Sequence, residues 1–149
     1  MTTISSLVLA DHDDWIQLWR DYLTFYETEL SDEVTAISFA RLVERDGMYG
    51  AIARDDHGRA VGFVNWTPHS STWNPSGYCY LEDLFVAPDA RGRGIGQALI
   101  AHVRDWADAA GYGKVYWLTQ EANAVARAMY DRVAQSSGFV QYEIPIRGA

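Results

Sequence analysis

Residues 80–97 decide the fold of this chain and read YLEDLFVAPDARGRGIGQ. The first seven, residues 80–86, are aromatic, β-branched, leucine and acidic side chains that predict a strand. Pro88 ends this strand because proline has no N–H to give to a sheet ladder. Glycines then precede residues 97–110, whose amphipathic pattern predicts a helix. The stretch therefore predicts a strand, a glycine-rich loop and a helix in immediate succession.

The loop predicts a phosphate site. Gly92, Gly94 and Gly96 let the backbone bend closely and expose its N–H groups. A helix N-terminus presents unpaired N–H donors and the positive end of the helix dipole, and Arg91 and Arg93 add positive charge. We interpret the loop as a site for a pyrophosphate.

The spacing of the glycines separates the candidate ligands. A Walker loop requires Gly-Lys-Ser/Thr, which the sequence lacks. The dinucleotide pattern G-x-G-x-x-G fails because Gln97 stands in the sixth position counted from Gly92. A third pattern, Arg/Gln-x-x-Gly-x-Gly/Ala, fits residues 91–96. The alternative is a helix entry that merely tolerates glycine, although glycines before a helix lower stability by roughly 1 kcal/mol each.

On this third pattern the chain resembles the GNAT superfamily of acetyl-CoA-dependent N-acetyltransferases, in which it is the pyrophosphate signature. Residues 80–86 resemble the preceding strand of the Hpa2-like and diamine acetyltransferase group, and residues 115–119 and 123–130 resemble the second block of the family. The resemblance implies an α/β fold in one domain, residues 1–149. It further implies a mixed, mostly antiparallel sheet of about six to seven strands with helices on both faces.

The remaining pattern predicts the order β-α-α-β-β-β-α-β-α-β. A first helix, capped by Asp11 or Asp13, carries an aromatic stripe from Trp15 to Tyr26 at spacings of three and four. The predicted strands cover residues 7–9, 48–54, 60–67, 80–86, 115–119 and 140–144, and the later helices cover residues 38–45, 97–110 and 123–130.

Glu82 is the candidate general base. Amine acetylation requires the amine to lose a proton, and a carboxylate within an apolar strand is costly unless it is paired, hydrated or functional. Partial burial raises a carboxyl pKa toward a useful range, and the resemblance implies a base that acts through water. Alternatively, Glu82 only lines the site or binds the substrate cation. Asp83 is predicted to point to the opposite face of the strand and to be structural.

Three residues near the predicted last helix complete the candidate machinery. Tyr130 lies seven residues after Asn123, which is two helical turns, so the two share a face. The resemblance implies that Tyr130 is a general acid near the sulfur of coenzyme A, and a core tyrosine is the alternative. Asn123 is a candidate N-cap that the resemblance also places on the cofactor, and Arg127 is a candidate for a phosphate contact.

The resemblance implies that the end of the 80–86 strand splays from its neighbour and pairs with the pantetheine arm, with the N–H of Leu84 or Phe85 as oxyanion donor. The implied acetyl-CoA-binding residues are Leu84, Phe85, Val86, Arg91, Gly92, Arg93, Gly94, Ile95, Gly96, Gln97, Asn123, Arg127 and Tyr130.

Acceptor-binding residues are also implied by the resemblance. Tyr26 and Glu27 match a pair that contacts substrate in diamine acetyltransferases, and Trp73 matches a tryptophan in the loop before the catalytic strand. With Glu82, these residues would hold an ammonium group by charge and cation–π contact. Core packing or a dimer contact is the alternative for Tyr26 and Trp73.

Composition narrows the classes of partner. The net charge of −8 argues against non-specific nucleic-acid binding and suits a cationic amine, although solubility alone explains it equally well. The single cysteine, Cys79, fits a reducing cytoplasm. The sequence shows no signal peptide, no apolar run long enough to span a membrane, and no metal-ligand spacing among its histidines.

We therefore expect an N-acetyltransferase that moves an acetyl group from acetyl-CoA to a primary amine by direct transfer in a ternary complex. The amine is a polyamine-like small molecule, an amino acid, or a lysine or N-terminal amine of a protein, and the enzyme is expected to be a homodimer. The alternative is a coenzyme A sensor of the same fold without turnover. A dinucleotide oxidoreductase conflicts with the glycine spacing.

Overall fold

The computed structural model describes residues 1–148, which form two compact units, one of residues 1–118 and one that begins at Thr119. The strands are β1 (Thr3–Ser6), β2 (Tyr49–Arg54), β3 (Ala60–His69), β4 (Tyr78–Val86) and β5 (Val115–Tyr116). The helices are α1 (His12–Phe25), α2 (Asp32–Glu44), α3 (Ile95–Ala109) and, in the second unit, α4 (Ala124–Val133).

The sheet of the first unit has five strands in the order β1-β2-β3-β4-β5. Neighbouring strands are antiparallel except for β4 and β5, which are parallel. The prediction of a mixed, mostly antiparallel sheet is confirmed, but the predicted count of six to seven strands is wrong. Residues 140–144 belong to no strand of the described chain. Their alternation of apolar and polar side chains indicates which residues share a face, but it does not supply a partner strand.

Two predicted boundaries are also corrected. The first strand is Thr3–Ser6, and Leu7 instead enters the core, where its N–H bonds the carbonyl of Gly50 at 2.9 Å. Helix α2 begins at Asp32 rather than at residue 38, because Ser31 caps it by accepting a hydrogen bond from the Val34 N–H at 3.1 Å. The apolar side chains of its first turns, Val34 and Ile37, are exposed, so no buried apolar face marks these turns in the sequence.

Helices cover both faces of the sheet, as predicted. On one face, Phe63 of β3 packs against Trp15 and Trp19 of α1, with ring centroids 5.9 Å apart in both pairs. On the other face, Trp66 packs edge-on against Trp106 of α3 at 5.5 Å. Alternation along β3 therefore places one aromatic cluster under each helical layer.

Gly62 of β3 lets the backbone of β4 and helix α3 approach β3 closely. A Cβ at this position would lie 2.7 Å from the carbonyl oxygen of Phe85 and 3.3 Å from Cδ1 of Leu99 on α3. Both distances are tighter than van der Waals contact, so no other residue fits without displacing a neighbour.

Within residues 1–148, every helix is too short or too polar to cross a membrane.

Candidate active site

A β-bulge lies at Glu82 in β4. Asn65 of β3 pairs with Asp83 and Trp66 pairs with Leu81, so Glu82 has no partner on β3. A bulge interrupts the alternation of side chains along a strand. As a result, Glu82 and Asp83 line the same cavity. The prediction that Asp83 points away from Glu82 is therefore wrong, because the alternation behind it ends at the bulge.

This cavity of about 370 Å³ lies between α1, α2 and the sheet, entirely within the first unit. Trp15, which is 0% exposed, and Asn65, which is 4% exposed, belong to its buried wall, whereas Tyr26, Leu30 and Glu82 are exposed. Its lining consists of Trp15, Trp19, Tyr22, Leu23, Tyr26, Thr28, Leu30, Ser38, Leu42, Met48, Asn65, Glu82 and Asp83.

Asp83 is held in the cavity wall by two neutral donors. The Tyr22 hydroxyl donates to Oδ1 at 2.8 Å, and the Asn65 amide donates to Oδ2 at 3.0 Å. Burial raises the pKa of Asp83, although these two hydrogen bonds act in the opposite direction. Over residues 1–148, no Lys, Arg or His forms an ion pair with Asp83. The wall thus presents a carboxylate without a cation.

The environment of Glu82 suits a general base. Partial desolvation raises the pKa of Glu82, and the negative charge of Asp83 raises it further. Burial and the charge of Asp83 also raise the pKa of the Tyr22 and Tyr26 phenols. At neutral pH both phenols are therefore protonated, and Tyr22 can remain the donor to Asp83. A carboxyl whose pKa is raised toward neutrality accepts a proton more readily than an ordinary glutamate.

One edge of β4 is open next to the bulge. β5 pairs only with Cys79 and Tyr80, whereas β3 runs beside β4 as far as Val86. Among the described residues, no strand pairs with the β5-facing edge of residues 81–86. The resemblance implies a splayed strand here, and the backbone groups of this unpaired edge can pair with an amide-rich ligand arm.

The glycine loop follows this open edge and is not obstructed. Gly92 and Gly94 both have φ of +79°, and a Cβ at either would meet no atom within 4 Å. Gly94 is the N-cap of α3, no side chain caps that helix end, and the first turn has no acidic residue. The N–H groups of Ile95, Gly96 and Gln97 are thus without an anionic partner from the first turn. This arrangement fits a diphosphate.

Arg91 makes contacts within the fold. Its Nε donates to the carbonyl oxygen of Val86 at 3.0 Å, and its guanidinium carbon lies 5.5 Å from the centre of the Phe25 ring and 5.6 Å from that of Phe85. Arg91 therefore links the end of α1 to the end of β4. Its assignment to phosphate, like that of Arg93, stays a prediction.

Not all of the predicted acceptor residues line the cavity. Tyr26 lines the cavity and packs edge-on against Tyr22 at 5.0 Å. Glu27 follows with φ of +52° and is not part of the lining. Trp73 is 81% exposed in the loop before β4 and does not line the cavity. The roles of Glu27 and Trp73 stay predictions.

In the second unit, Asn123 caps α4, and its Oδ1 accepts a hydrogen bond from the Ala126 N–H at 3.3 Å. Arg127 donates from Nη1 to the carbonyl oxygen of Glu121 at 2.9 Å. Tyr130 lies on the same helix. The roles of Asn123, Arg127 and Tyr130 toward acetyl-CoA stay predictions.

Sequence reasoning missed the hydrogen-bonded group of the cavity wall, which consists of Tyr22, Asn65 and Asp83. The spacing of Tyr22 indicates only that it belongs to the aromatic stripe of α1. Asn65 did carry a signal, because it is a polar residue in the apolar run VGFVNW of residues 61–66. A buried amide in such a strand requires hydrogen-bond partners, and Asp83 accepts one of its bonds.

Comparisons with known proteins agree with this geometry. Residues 12–134 match the model of the acetyltransferase (GNAT) family. The D-amino-acid N-acetyltransferase HPA3 of Saccharomyces cerevisiae is 35% identical over 142 residues, which cover 94% of this chain and 88% of the relative.

Solved structures share the fold. The structure of AAC(6')-Iy in complex with a bisubstrate analogue, CoA-S-monomethyl-acetylneamine, matches with a TM-score of 0.85 at 20% identity, covering 98% of this chain and 99% of that one. The ribosomal-protein-alanine N-acetyltransferase of Brucella melitensis biovar Abortus 2308 matches with a TM-score of 0.79 at 23% identity, covering 98% and 100%. The family match, the glycine loop and the open edge of β4 lead to one conclusion: this chain belongs to the GNAT family of N-acetyltransferases, which use acetyl-CoA.

Proposed function

We propose that this chain transfers the acetyl group of acetyl-CoA directly to a primary amine bound in the cavity, within a ternary complex. One observation carries the proposal. The bulge places Glu82 in the wall of the cavity and, at the same time, in the open-edged segment 81–86 of β4. An amine in the cavity and a thioester arm along the open edge would meet at this residue.

The backbone supplies the acetyl-CoA site. N–H groups of residues 92–97 bind the diphosphate, and the backbone of Leu84, Phe85 and Val86 pairs with the amide-rich arm. Acetyl-CoA supplies an activated thioester. The N–H of Leu84 or Phe85 donates a hydrogen bond to the oxygen that becomes negative when the amine attacks.

Two side chains move protons. Glu82 accepts a proton from the ammonium form of the acceptor through water, which frees the nitrogen lone pair. A carbon–nitrogen bond then forms, the nitrogen releases its second proton to solvent, and the carbon–sulfur bond breaks. Tyr130 gives its hydroxyl proton to the departing sulfur and recovers one from solvent. No acyl-enzyme is formed, and the buried Cys79, whose pKa burial raises to about 11, is not needed as a nucleophile.

The names of similar proteins support an amine acceptor. The yeast relative is named for D-amino acids, and the bisubstrate analogue of the structural neighbour contains neamine. A cytoplasmic location stays a prediction. The homodimer also stays a prediction.

The test is a thiol-release assay with acetyl-CoA and a panel of amines that includes phenethylamine, spermidine, lysine and neamine, with the product identified by mass spectrometry. We expect release that depends on an amine, and intersecting lines in initial-velocity plots. Parallel lines would indicate an acyl-enzyme. A protein that binds coenzyme A but acetylates no amine would be the sensor.

A further inference from the structure

The charges of the cavity lining all have one sign. Its two ionisable acids, Glu82 and Asp83, are consecutive in β4, and the lining contains no Lys, Arg or His. A ligand that enters with a carboxylate would find two negative charges and no cation. In a partly desolvated cavity such repulsion is far stronger than in water.

The polar groups of the wall also lack a positive partner. Among residues 1–148, Asp83 receives hydrogen bonds only from neutral donors, Tyr22 and Asn65. The remaining acceptor of Asn65, its buried Oδ1, has no hydrogen-bond partner within residues 1–148, although the side chain lines the cavity. A buried carboxylate paired only with neutral groups is costly, and a cation offsets that cost.

The rest of the lining is mainly apolar. Away from β4, the wall has apolar side chains from Trp15, Trp19, Leu23, Leu30, Leu42 and Met48. This wall fits a hydrocarbon or aromatic body. Because the two carboxylates are neighbours at one place, the lining provides for one ammonium group and not for a row of charges spaced along a polyamine.

We propose that the acceptor subsite selects a monoamine with an apolar body and no carboxylate, and that it rejects the amino acid with the same body. This inference rests on the proposed function and names the substrate class of that site. It separates this chain from the activity named for its yeast relative, because a D-amino acid would bring its carboxylate against Glu82 and Asp83.

Matched acceptors test the inference. Phenethylamine, D- and L-phenylalanine, and the methyl esters of both amino acids share one aromatic body and differ in charge. We expect kcat/KM for phenethylamine to exceed that for either amino acid by about 100-fold or more. The methyl esters should recover most of the difference, because they lack the negative charge. Equal or better use of D-phenylalanine would overturn the inference.

A variant that adds a positive charge to the cavity lining provides a second test. Leu30 lines the cavity and is 43% exposed, so Leu30→Lys adds a cation at an exposed position of the lining without disturbing the core. Val34 is 45% exposed, does not line the cavity, and serves as the matched control in Val34→Lys. Leu30→Lys should reduce the preference for phenethylamine over phenylalanine about tenfold, and Val34→Lys should leave it unchanged. Equal effects of the two variants would contradict the inference.

A binding measurement without turnover distinguishes failure of the proposed function from failure of this inference. Trp15 and Trp19 line the cavity, so ligand binding should change tryptophan fluorescence. If phenethylamine binds at least tenfold more tightly than phenylalanine but no amine is acetylated, the proposed function fails and the inference stands. If all the acceptors are acetylated alike, the proposed function stands and the inference fails. Failure of phenethylamine to bind at millimolar concentration would also overturn the inference.

Discussion

The hydroxyl of Tyr22 donates a 2.8 Å hydrogen bond to the carboxylate of Asp83 and thereby joins α1 to the bulged strand β4. Asn65 of β3 donates to the other oxygen of the same carboxylate. Three separate elements are thus fixed to each other at the wall of the cavity. Asp83 thus links these elements, and the bulge leaves its neighbour Glu82 exposed in the same wall.

Removal of the Tyr22 hydroxyl should destabilise the protein. Tyr22→Phe leaves one oxygen of a partly buried carboxylate without its donor, which we expect to lower the free energy of unfolding by about 1 kcal/mol. Tyr26→Phe is the control, because no hydrogen bond joins the Tyr26 hydroxyl to Asp83. Urea denaturation at neutral pH measures both. A loss as large in Tyr26→Phe would contradict this role of Tyr22.

The stability of the protein should depend on pH through the two carboxyls of the bulge. Glu82 and Asp83 have raised pKa values in the folded state, so between the unfolded and folded values the folded state binds more protons. Their contribution to the free energy of unfolding therefore falls as pH rises through that window. Relative to wild type, Glu82→Gln should flatten this fall in urea titrations. A steeper fall in the variant would show that the sign is wrong.

The affinity for acetyl-CoA should depend on Arg93 more than on Arg104. Loss of a charged hydrogen bond to phosphate is worth about 1.5 kcal/mol, so Arg93→Ala should weaken acetyl-CoA binding about tenfold. The effect should shrink at high salt. Arg104→Ala is the control, because Arg104 is exposed on α3 and pairs with Asp105 at 2.8 Å. Calorimetric titration that finds equal losses would remove Arg93 from the site.

Gly62 should not tolerate a methyl group. Gly62→Ala places a Cβ 2.7 Å from a backbone carbonyl of β4, which cannot move without disturbing the strand. Overpacking of this kind costs about 1–3 kcal/mol. The shift in the denaturation midpoint measures the cost, and an unchanged midpoint would mean that β3 and β4 separate easily at this point.

The variant Tyr130→Phe distinguishes between two roles of this residue, a general acid and a tyrosine that only packs. The variant lacks only a hydroxyl, so acetyl-CoA affinity should change little while kcat falls by about 10²-fold, a usual contribution of a general acid. Steady-state kinetics and a binding titration together measure both quantities. A parallel loss of affinity and of kcat would indicate that Tyr130 only packs.

Sequence patterns predicted the architecture better than the site. The glycine loop at residues 91–96 predicted its helix, and aromatic spacing predicted helix α1 with its stripe, because each signal is local. The cavity depends on a bulge, which arises from the register between β3 and β4 and leaves no mark in either strand alone. For that reason the prediction for Asp83 names the wrong face of the strand. Glu82 is a candidate on other grounds, because a carboxylate is costly in an apolar strand.

In the proposed mechanism, Glu82 accepts the proton of an amine that binds in the cavity. The most direct measurement is the pH dependence of kcat/KM for wild type and Glu82→Gln with an amine that turns over. We expect Glu82→Gln to lower kcat/KM by about 10²–10³-fold, to keep the affinity for acetyl-CoA, and to lose an ascending limb whose midpoint lies above the ordinary pKa of a glutamate. An unchanged profile and rate in Glu82→Gln would contradict the claim.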